Sequence, residues 1–428
     1  MSAPDVRRAL PVWPFVVLAL VSVTFSVTPI VNAVRKPLLN KDYAIWYRIG
    51  LAVRADQPLY GPDESGEILY MYPPTAAVLV FSPLSGLGAV GFVVVLATAT
   101  ALSWFGCTYL AIRLATGRWP GHPDWYYFFV YAMVGAYVYD LFLLGQVNLV
   151  LLFLTLLSAV LLQRRRPWRA GLCLGLAIAV KVFPLPVLVY WAVRRQWLAI
   201  LSAILTVGVA VAVLPGLARG MERNADEVRQ WFQMMVGDQS GNTMAARSIT
   251  GFTRRNQSLV SLSHRLLRDI EASDPEGPFL RVNVADVPPR TAQLVGYAAV
   301  CLLGVVLLVA TRCRFATTPE AEAQEWAMVC VLVVLSSPLS WTYFYCWLLP
   351  AWAVVLHEAR ARRWVRFAAI PVTGLFLSAL TEQFDPRLQA YGVTAWGGVG
   401  LYLILARLRW SQVPKMPGSE PLTREDAR

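Results

Sequence analysis

Apolar runs about as long as a bilayer is thick recur along the whole chain, and most of the polar joints between them are short. The runs fall near residues 12–34, 88–113, 125–144, 146–163, 170–193, 197–216, 291–311, 325–340, 341–357, 366–382 and 391–407. The first is longer than a signal-peptide core and follows Arg7 and Arg8, so it reads as an uncleaved span with a cytoplasmic start. In the run 170–193 the segment Lys181-Val-Phe-Pro-Leu-Pro186 must break the helix, which predicts two short spans that turn at the outer face. The stretch from Tyr72 to Pro83 is expected to lie on the membrane surface or re-enter without crossing.

Basic residues concentrate in cytoplasmic loops, so arginine assigns the side of each joint. The clusters are Arg164 to Arg166 with Arg169, Arg194 with Arg195, Arg312 with Arg314, Arg360 to Arg366, and Arg407 with Arg409. Satisfying them all predicts an all-α polytopic membrane protein with about twelve transmembrane helices, a single domain over residues 1–428, and both termini in the cytoplasm. The polar stretches 35–86 and 217–290 become long outer loops, the first carrying interfacial helices, and 411–428 a polar cytoplasmic tail.

Composition fits a membrane protein: 57% of the 428 residues are hydrophobic and 15% charged, too few polar groups to coat a soluble globule of this size. The net charge of +12 rests on 38 basic residues, all but four of them Arg. Because these cations sit in short clusters between apolar runs, they read as topology signals, and nucleic acid is not an expected partner. The cysteines and histidines have neither disulfide nor metal-ligand spacing, so no metal is expected.

Candidate chemistry gathers on the predicted outer face. Asn40-Lys41-Asp42-Tyr43-Ala44-Ile45-Trp46-Tyr47-Arg48 follows the first span, with Asp42, Ile45 and Trp46 on one side of an interfacial helix whose aromatics would lie in lipid. Asp42 fits both a helix N-cap and a general base for a hydroxyl. Tyr72, held extended by Pro73, is scaffolding or a substrate contact. Gln146 and Asn148 open a span as costly carboxamides, which either another helix or a polar ligand would satisfy. Lys181 is the only lysine within an apolar run; its counter-ion would be a lipid phosphate, unless the side chain snorkels to the interface. In the second loop, Arg254, Arg255 and Arg265 with Asn256 and Gln257 supply cations and donors, or simply a solvated surface. Asn256-Gln257-Ser258 also fits the short N-glycosylation pattern. Trp341 and Tyr343 join two spans, where an aromatic belt accounts for their rings as well as a substrate does.

Taken in order, Asp42-Tyr43 through Tyr47 with Gly50, Leu59-Tyr60, Tyr72-Pro73-Pro74 with Pro83-Leu84, Gly145-Gln146-Val147-Asn148, Gly171 to Lys181 with Pro184, Asn256-Gln257-Ser258-Leu259, and Ser337-Pro338 with Ser340-Trp341 resemble glycosyltransferase family 87. The resemblance spans roughly residues 42–350. Members of that family are membrane enzymes of the C superfamily that use a polyprenyl-phosphate sugar, typically mannose or arabinofuranose. The resemblance implies inverting transfer of one sugar, with mannose favoured, to a hydroxyl of a glycolipid or glycan on the non-cytoplasmic face of the cell membrane. Asp42 matches the family's proposed general base. Lys181, Arg48, Arg254, Arg255 and Arg265 would hold the donor phosphate, while Tyr43, Trp46, Tyr47, Tyr72, Gln146, Asn148, Asn256, Gln257, Trp341 and Tyr343 would contact sugar or acceptor. The implied partners are the lipid donor, the acceptor and membrane lipid, with no cofactor and no metal. In one departure, the chain reads Trp341-Thr342-Tyr343-Phe344 where the family commonly carries a histidine, and Tyr343 is no cation near neutral pH. A lipid or sugar transporter is the competing class, since a Pro-broken hairpin bearing Lys181 also resembles a broken-helix binding site; a structural membrane protein is the third.

Overall fold

The computed structural model describes residues 13–35, 39, 41–61, 70–120, 125–237, 251–274, 277, 279–311, 318–379 and 385–411. Arg7, Arg8, Asn40, His122, the cluster Arg312 with Arg314, Cys313 and the tail 412–428 lie outside the described residues. Among the described residues helix is the regular structure throughout, apart from one isolated bridge between Asn256 and Trp341.

Helix α1 (Trp13–Arg35) leads to α2 (Lys41–Arg54), α3 (Ala76–Ser85) and α4 (Gly88–Thr116). Next, α5 (Trp125–Ala132) and α6 (Gly135–Leu144) form a pair bent by 54°. They are followed by α7 (Asn148–Gln163), α8 (Pro167–Val180), α9 (Pro186–Val193) and α10 (Trp197–Arg219). The second polar stretch contains α11 (Met221–Phe232) and α12 (Leu259–Leu267). After α13 (Pro289–Thr311) and α14 (Pro319–Ser336), a tight helical segment Thr342–Leu348 runs into α15 (Leu349–Ala361). The chain closes with α16 (Arg363–Ala379), α17 (Pro386–Ala390) and α18 (Val393–Ser411).

Local chemistry sets these boundaries. Pro167, Pro186 and Pro319 sit in first helical turns, where a missing N–H costs nothing. The hydroxyls of Ser258 and Thr318 cap α12 and α14 by accepting from the Ser261 N–H (3.0 Å) and the Ala321 N–H (3.2 Å). Helices α8 and α10 touch closely because Gly171 and Gly175 face it; a Cβ at either would collide with the carbonyls of Ala199 and Ala203. The core centres on α14, buried on nearly all sides from Ala321 to Leu335.

The expected twelve crossings are not there. Val16–Arg35, Gly88–Thr116, Trp197–Arg219 and Pro289–Thr311 are the 4 helices among the described residues long and apolar enough to cross a membrane, or up to 5 spans if the bent α5–α6 pair counts as one. The remaining apolar runs fail for local reasons. The run 170–193, expected as two short spans, is split into helices of 14 and 8 residues. At 1.5 Å per residue these reach about 21 and 12 Å, against a hydrocarbon core of roughly 30 Å. Helix α14 brings Glu320, Glu322 and Glu325 into its run, and α16 opens on Arg363 and Arg366. In the segment from Tyr72 to Pro83, Ala76, Ala77, Val78 and Phe81 of α3 are buried in protein while Leu79 and Pro83 are exposed, so one face packs on the bundle and the other is open. Much of the apolar sequence therefore marks helices buried against helices, which also read as hydrophobic all round. With the twelve-span count goes the parity that placed the long polar stretches outside and both termini inside. The molecule is a membrane-associated bundle with several apolar spans.

Candidate functional site

The site is built on the joint between α6 and α7. Gly145 ends α6 in the left-handed region (φ 89°), and a Cβ there would sit 2.8 Å from the ring of Tyr43, so glycine meets both demands. The Tyr43 hydroxyl donates to the Phe142 carbonyl at 3.0 Å, and Trp46 Nε1 to the Gly145 carbonyl at 3.2 Å. Helix α2 is thereby pinned to the end of α6, which puts Asp42, in the first turn of α2, beside Gln146.

Gln146 is buried and spends its carboxamide in two directions. Its Nε2 donates to Asp42 Oδ2, while Oε1 accepts from the Tyr72 hydroxyl (2.8 Å) and from Lys181 Nζ (3.1 Å). Lys181 also donates to Asn148 Oδ1 at 3.0 Å. Its position follows from the predicted break: α8 stops at Val180, Lys181 is extended (φ −152°, ψ 126°), and Pro184 and Pro186 turn the chain away. The ammonium stands 4.8 Å from the ring centre of Tyr72 and 4.5 Å from that of Phe344, a cation between two aromatic faces. Tyr343 stacks on Phe344 at 5.0 Å and lies close enough to feel the charge of Asp42.

Burial pushes the Asp42 carboxyl above the ordinary aspartate range; the bond from Gln146 and the charges of Lys181 and Lys41 oppose that rise. Burial also pulls Lys181 down to about 7, with the charge of Asp42 opposing the fall, so a carboxylate whose proton affinity is raised and an amine whose proton affinity is lowered share one carboxamide. Such a pair can take a proton on one side and hold an anion on the other.

Asp42, Tyr72, Gln146, Asn148, Lys181 and Tyr343 come together here, with Tyr43 and Trp46 bracing the helix beneath. Trp46 does not lie in lipid as expected: it is 3% exposed, stacked on Phe81 at 4.9 Å and tilted against Tyr72 at 4.5 Å. Its indole packs the α2–α3 contact because the hydrophobic side of α2 faces protein. Tyr47 sets its edge on Phe92 at 5.5 Å, and Arg48 is exposed on α2.

The second-loop residues are engaged elsewhere. Arg254 and Arg255 pair with Asp274 at 2.9 and 3.0 Å. Arg265, fully buried, donates to the carbonyls of Ala390 (3.0 Å), Thr253 (2.9 Å) and Asn256 (2.6 Å) and to Ser261 Oγ (2.9 Å). Asn256 Nδ2 donates to the carbonyls of Gly251 and Pro338, and its Oδ1 accepts from the N–H of Ser258 and of Ser340. Gln257 Nε2 bonds the carbonyls of Arg254 and Gln389, and Trp341 is held by the bridge to Asn256.

Sequence reasoning missed the aromatic wall behind Lys181. Phe183 packs 4.5 Å from Phe344 and 4.9 Å from Trp347, whose Nε1 donates to the Asn148 carbonyl at 3.1 Å. The available signal was Phe183 inside the breaker and Phe344 beside the departure at Tyr343.

The profile of glycosyltransferase family 87 matches residues 70–338, more than half of the chain; Tyr72, Gln146, Asn148 and Lys181 fall within the match, while Asp42, Tyr43 and Trp46 on α2 and Tyr343 with its neighbour Phe344 fall outside it. The chain belongs to glycosyltransferase family 87. It is similar to a polyprenol-phosphate-mannose-dependent alpha-(1-2)-phosphatidylinositol mannoside mannosyltransferase of Mycolicibacterium smegmatis, 29% identical over 351 residues, which cover 78% of this chain and 72% of the relative. The enzyme of the same description from Mycobacterium tuberculosis is 25% identical over 78% of this chain and 74% of its own. A phosphatidylinositol pentamannoside mannosyltransferase from that organism is 28% identical over 80% and 72%. Family membership makes the protein a membrane glycosyltransferase and removes the transporter and scaffold readings.

Proposed function

We propose that the enzyme transfers a single mannose from a polyprenyl-phosphate donor to a hydroxyl of a glycolipid or glycan acceptor, with inversion at the anomeric carbon. The observation that carries this reading is the joining of Asp42 and Lys181 through the one carboxamide of Gln146. Asp42 takes the proton from the acceptor hydroxyl as that oxygen bonds to the anomeric carbon. The bond from that carbon to the phosphate oxygen breaks on the opposite side, and polyprenyl phosphate leaves with the electron pair. Lys181 meets the charge that develops on the phosphate, where a fixed cation stabilises the transition state more than the ground state. Tyr72 and Asn148 hold Gln146 and Lys181 in register, and Tyr343 offers a hydroxyl beside the sugar. The donor class and mannose are supported by the relatives' activities.

The reaction is assigned to the non-cytoplasmic face. Gln146 and Lys181 lie at one end of α7 and α8 and the basic joint Arg164 to Arg166 at the other; the charge bias of that joint toward the cytoplasm supports this side, although neither helix is long enough to cross by itself. Transfer from labelled polyprenyl-phosphate mannose by Asp42→Asn tests the assignment. Loss of transfer in a protein with unchanged melting is the expected result; wild-type turnover would overturn the role of Asp42.

A further inference from the structure

We infer that the arginine-bearing end of the molecule holds a second ligand site, a cavity that takes the zwitterionic headgroup of an aminophospholipid. The cavity measures about 510 Å³ and lies between the end of α7, the α9–α10 joint and the start of α14. Helix α7 separates it from Gln146 and Lys181 by about 22 Å of its length, so it is no extension of the transfer site.

Its walls carry both halves of a zwitterion's counter-charge. Arg165, Arg194, Tyr190 and Trp191 line it together with Glu322 and Glu325. Glu325 is fully buried and holds Arg194 and, at 2.8 Å, Arg409, while the Tyr190 hydroxyl donates to its other oxygen at 2.9 Å. Two guanidinium groups on one carboxylate leave a positive charge in excess beside the cavity, and the exposed Arg165 adds another at its rim. A phosphate answers that excess. Trp191 is wholly buried behind the cavity wall, and its indole N–H has no acceptor among the described residues. On the other side, the Glu322 carboxylate lines the cavity beside Gln163 and Trp326. A carboxylate has about four acceptor positions, so room remains for an ammonium.

The surroundings favour a lipid over a soluble phosphoamine. Trp168 and Trp197, each next in sequence to a lining residue, are 50% and 61% exposed, and Leu198 beyond them is 52% exposed. Exposed tryptophans at the end of an apolar span mark headgroup depth, with greasy surface below for acyl chains.

The test uses the full chain, delipidated in detergent, with native mass spectrometry reading retention of added phosphatidylethanolamine, phosphatidylglycerol or glycerophosphoethanolamine. Phosphatidylethanolamine should be retained about tenfold better than phosphatidylglycerol, and Arg165→Gln and Glu322→Gln should each weaken retention by about tenfold, the effect of one charge-assisted hydrogen bond. Melting and sugar transfer should stay at wild-type values in Arg165→Gln, whose side chain is exposed at the rim, which separates lost binding from lost fold. Equal retention of the two lipids, or variants that bind as the wild type does, overturns the site. Competition by glycerophosphoethanolamine as strong as by the whole lipid overturns the lipid assignment.

Discussion

Two clusters in this enzyme use the same kinds of side chain to opposite ends. Around Asp42, polar groups meet other polar side chains: carboxylate to carboxamide to ammonium, with aromatic faces closing the sides. Around Arg265, polar groups meet backbone carbonyls, and Asn256, Gln257 and Arg265 tie residues 251–267 to the segments at 338–340 and 389–390. Side chains that satisfy the backbone are fixed by the fold and hold it together. A carboxylate and an ammonium that share one partner keep lone pairs and N–H bonds for a substrate. The difference predicts that substitutions in the first cluster remove turnover and leave folding intact, while those in the second do the reverse.

The largest effect belongs to Asp42→Asn. General-base catalysis contributes about 10²–10⁴-fold, so transfer should fall by about a thousandfold, with the Gln146 carboxamide still able to pair with the new side chain. Next comes Lys181→Met, which removes the group proposed to face the leaving phosphate and should cost about 100- to 1000-fold in kcat. If Lys181→Met raised KM alone, the ammonium would bind the donor without stabilising its departure, and the comparison would need redrawing.

Arg265→Met sharpens the contrast from the other side. Three buried carbonyls lose their donor, so the protein should be destabilised by about 2 kcal/mol or more, read as a lower melting midpoint. Turnover per folded molecule should stay near wild type.

How much of this was legible beforehand differs between the clusters for a physical reason. The break at Lys181 was readable because proline forbids a continuing helix, and the candidacy of Asp42, Gln146 and Lys181 because polar groups in apolar surroundings need partners. Which partners they take depends on tertiary packing: that Trp46 faces Phe81 and not lipid, and that Arg265 meets carbonyls, follows from contacts far apart in sequence. The span count failed for the same cause. Hydropathy reads α14 and α15 as membrane spans because a helix buried by other helices and one buried by lipid have the same composition. Glu325 was the overlooked clue, since a fully buried carboxylate that holds Arg194 and Arg409 belongs to a protein interior.

The pH profile probes the coupling inside the first cluster. If Asp42 is the general base, as proposed, its base form is the active one; its carboxyl lies above the ordinary value, so kcat/KM should fall on acidification at a higher pH than an unperturbed aspartate would give. The Gln146 bond lowers that carboxyl, so Gln146→Leu should move the acid limb further toward high pH. A limb that stays in place in Gln146→Leu would mean that the group titrating there is not Asp42.

The smallest effect is expected at Arg255, and it is informative because the residue is a cation on a candidate donor-facing loop. Arg255 is 57% exposed on its side chain and shares Asp274 with Arg254. A pair of that kind contributes about 0–1 kcal/mol to stability, and Arg254 retains the carboxylate when Arg255 is gone. Arg255→Gln should therefore leave both melting and transfer within about twofold of wild type. A tenfold loss of transfer with an unchanged melting midpoint would show that the loop meets the donor phosphate after all, and the division between a reactive cluster and a bracing one would have to be drawn inside the loop and not between the two regions.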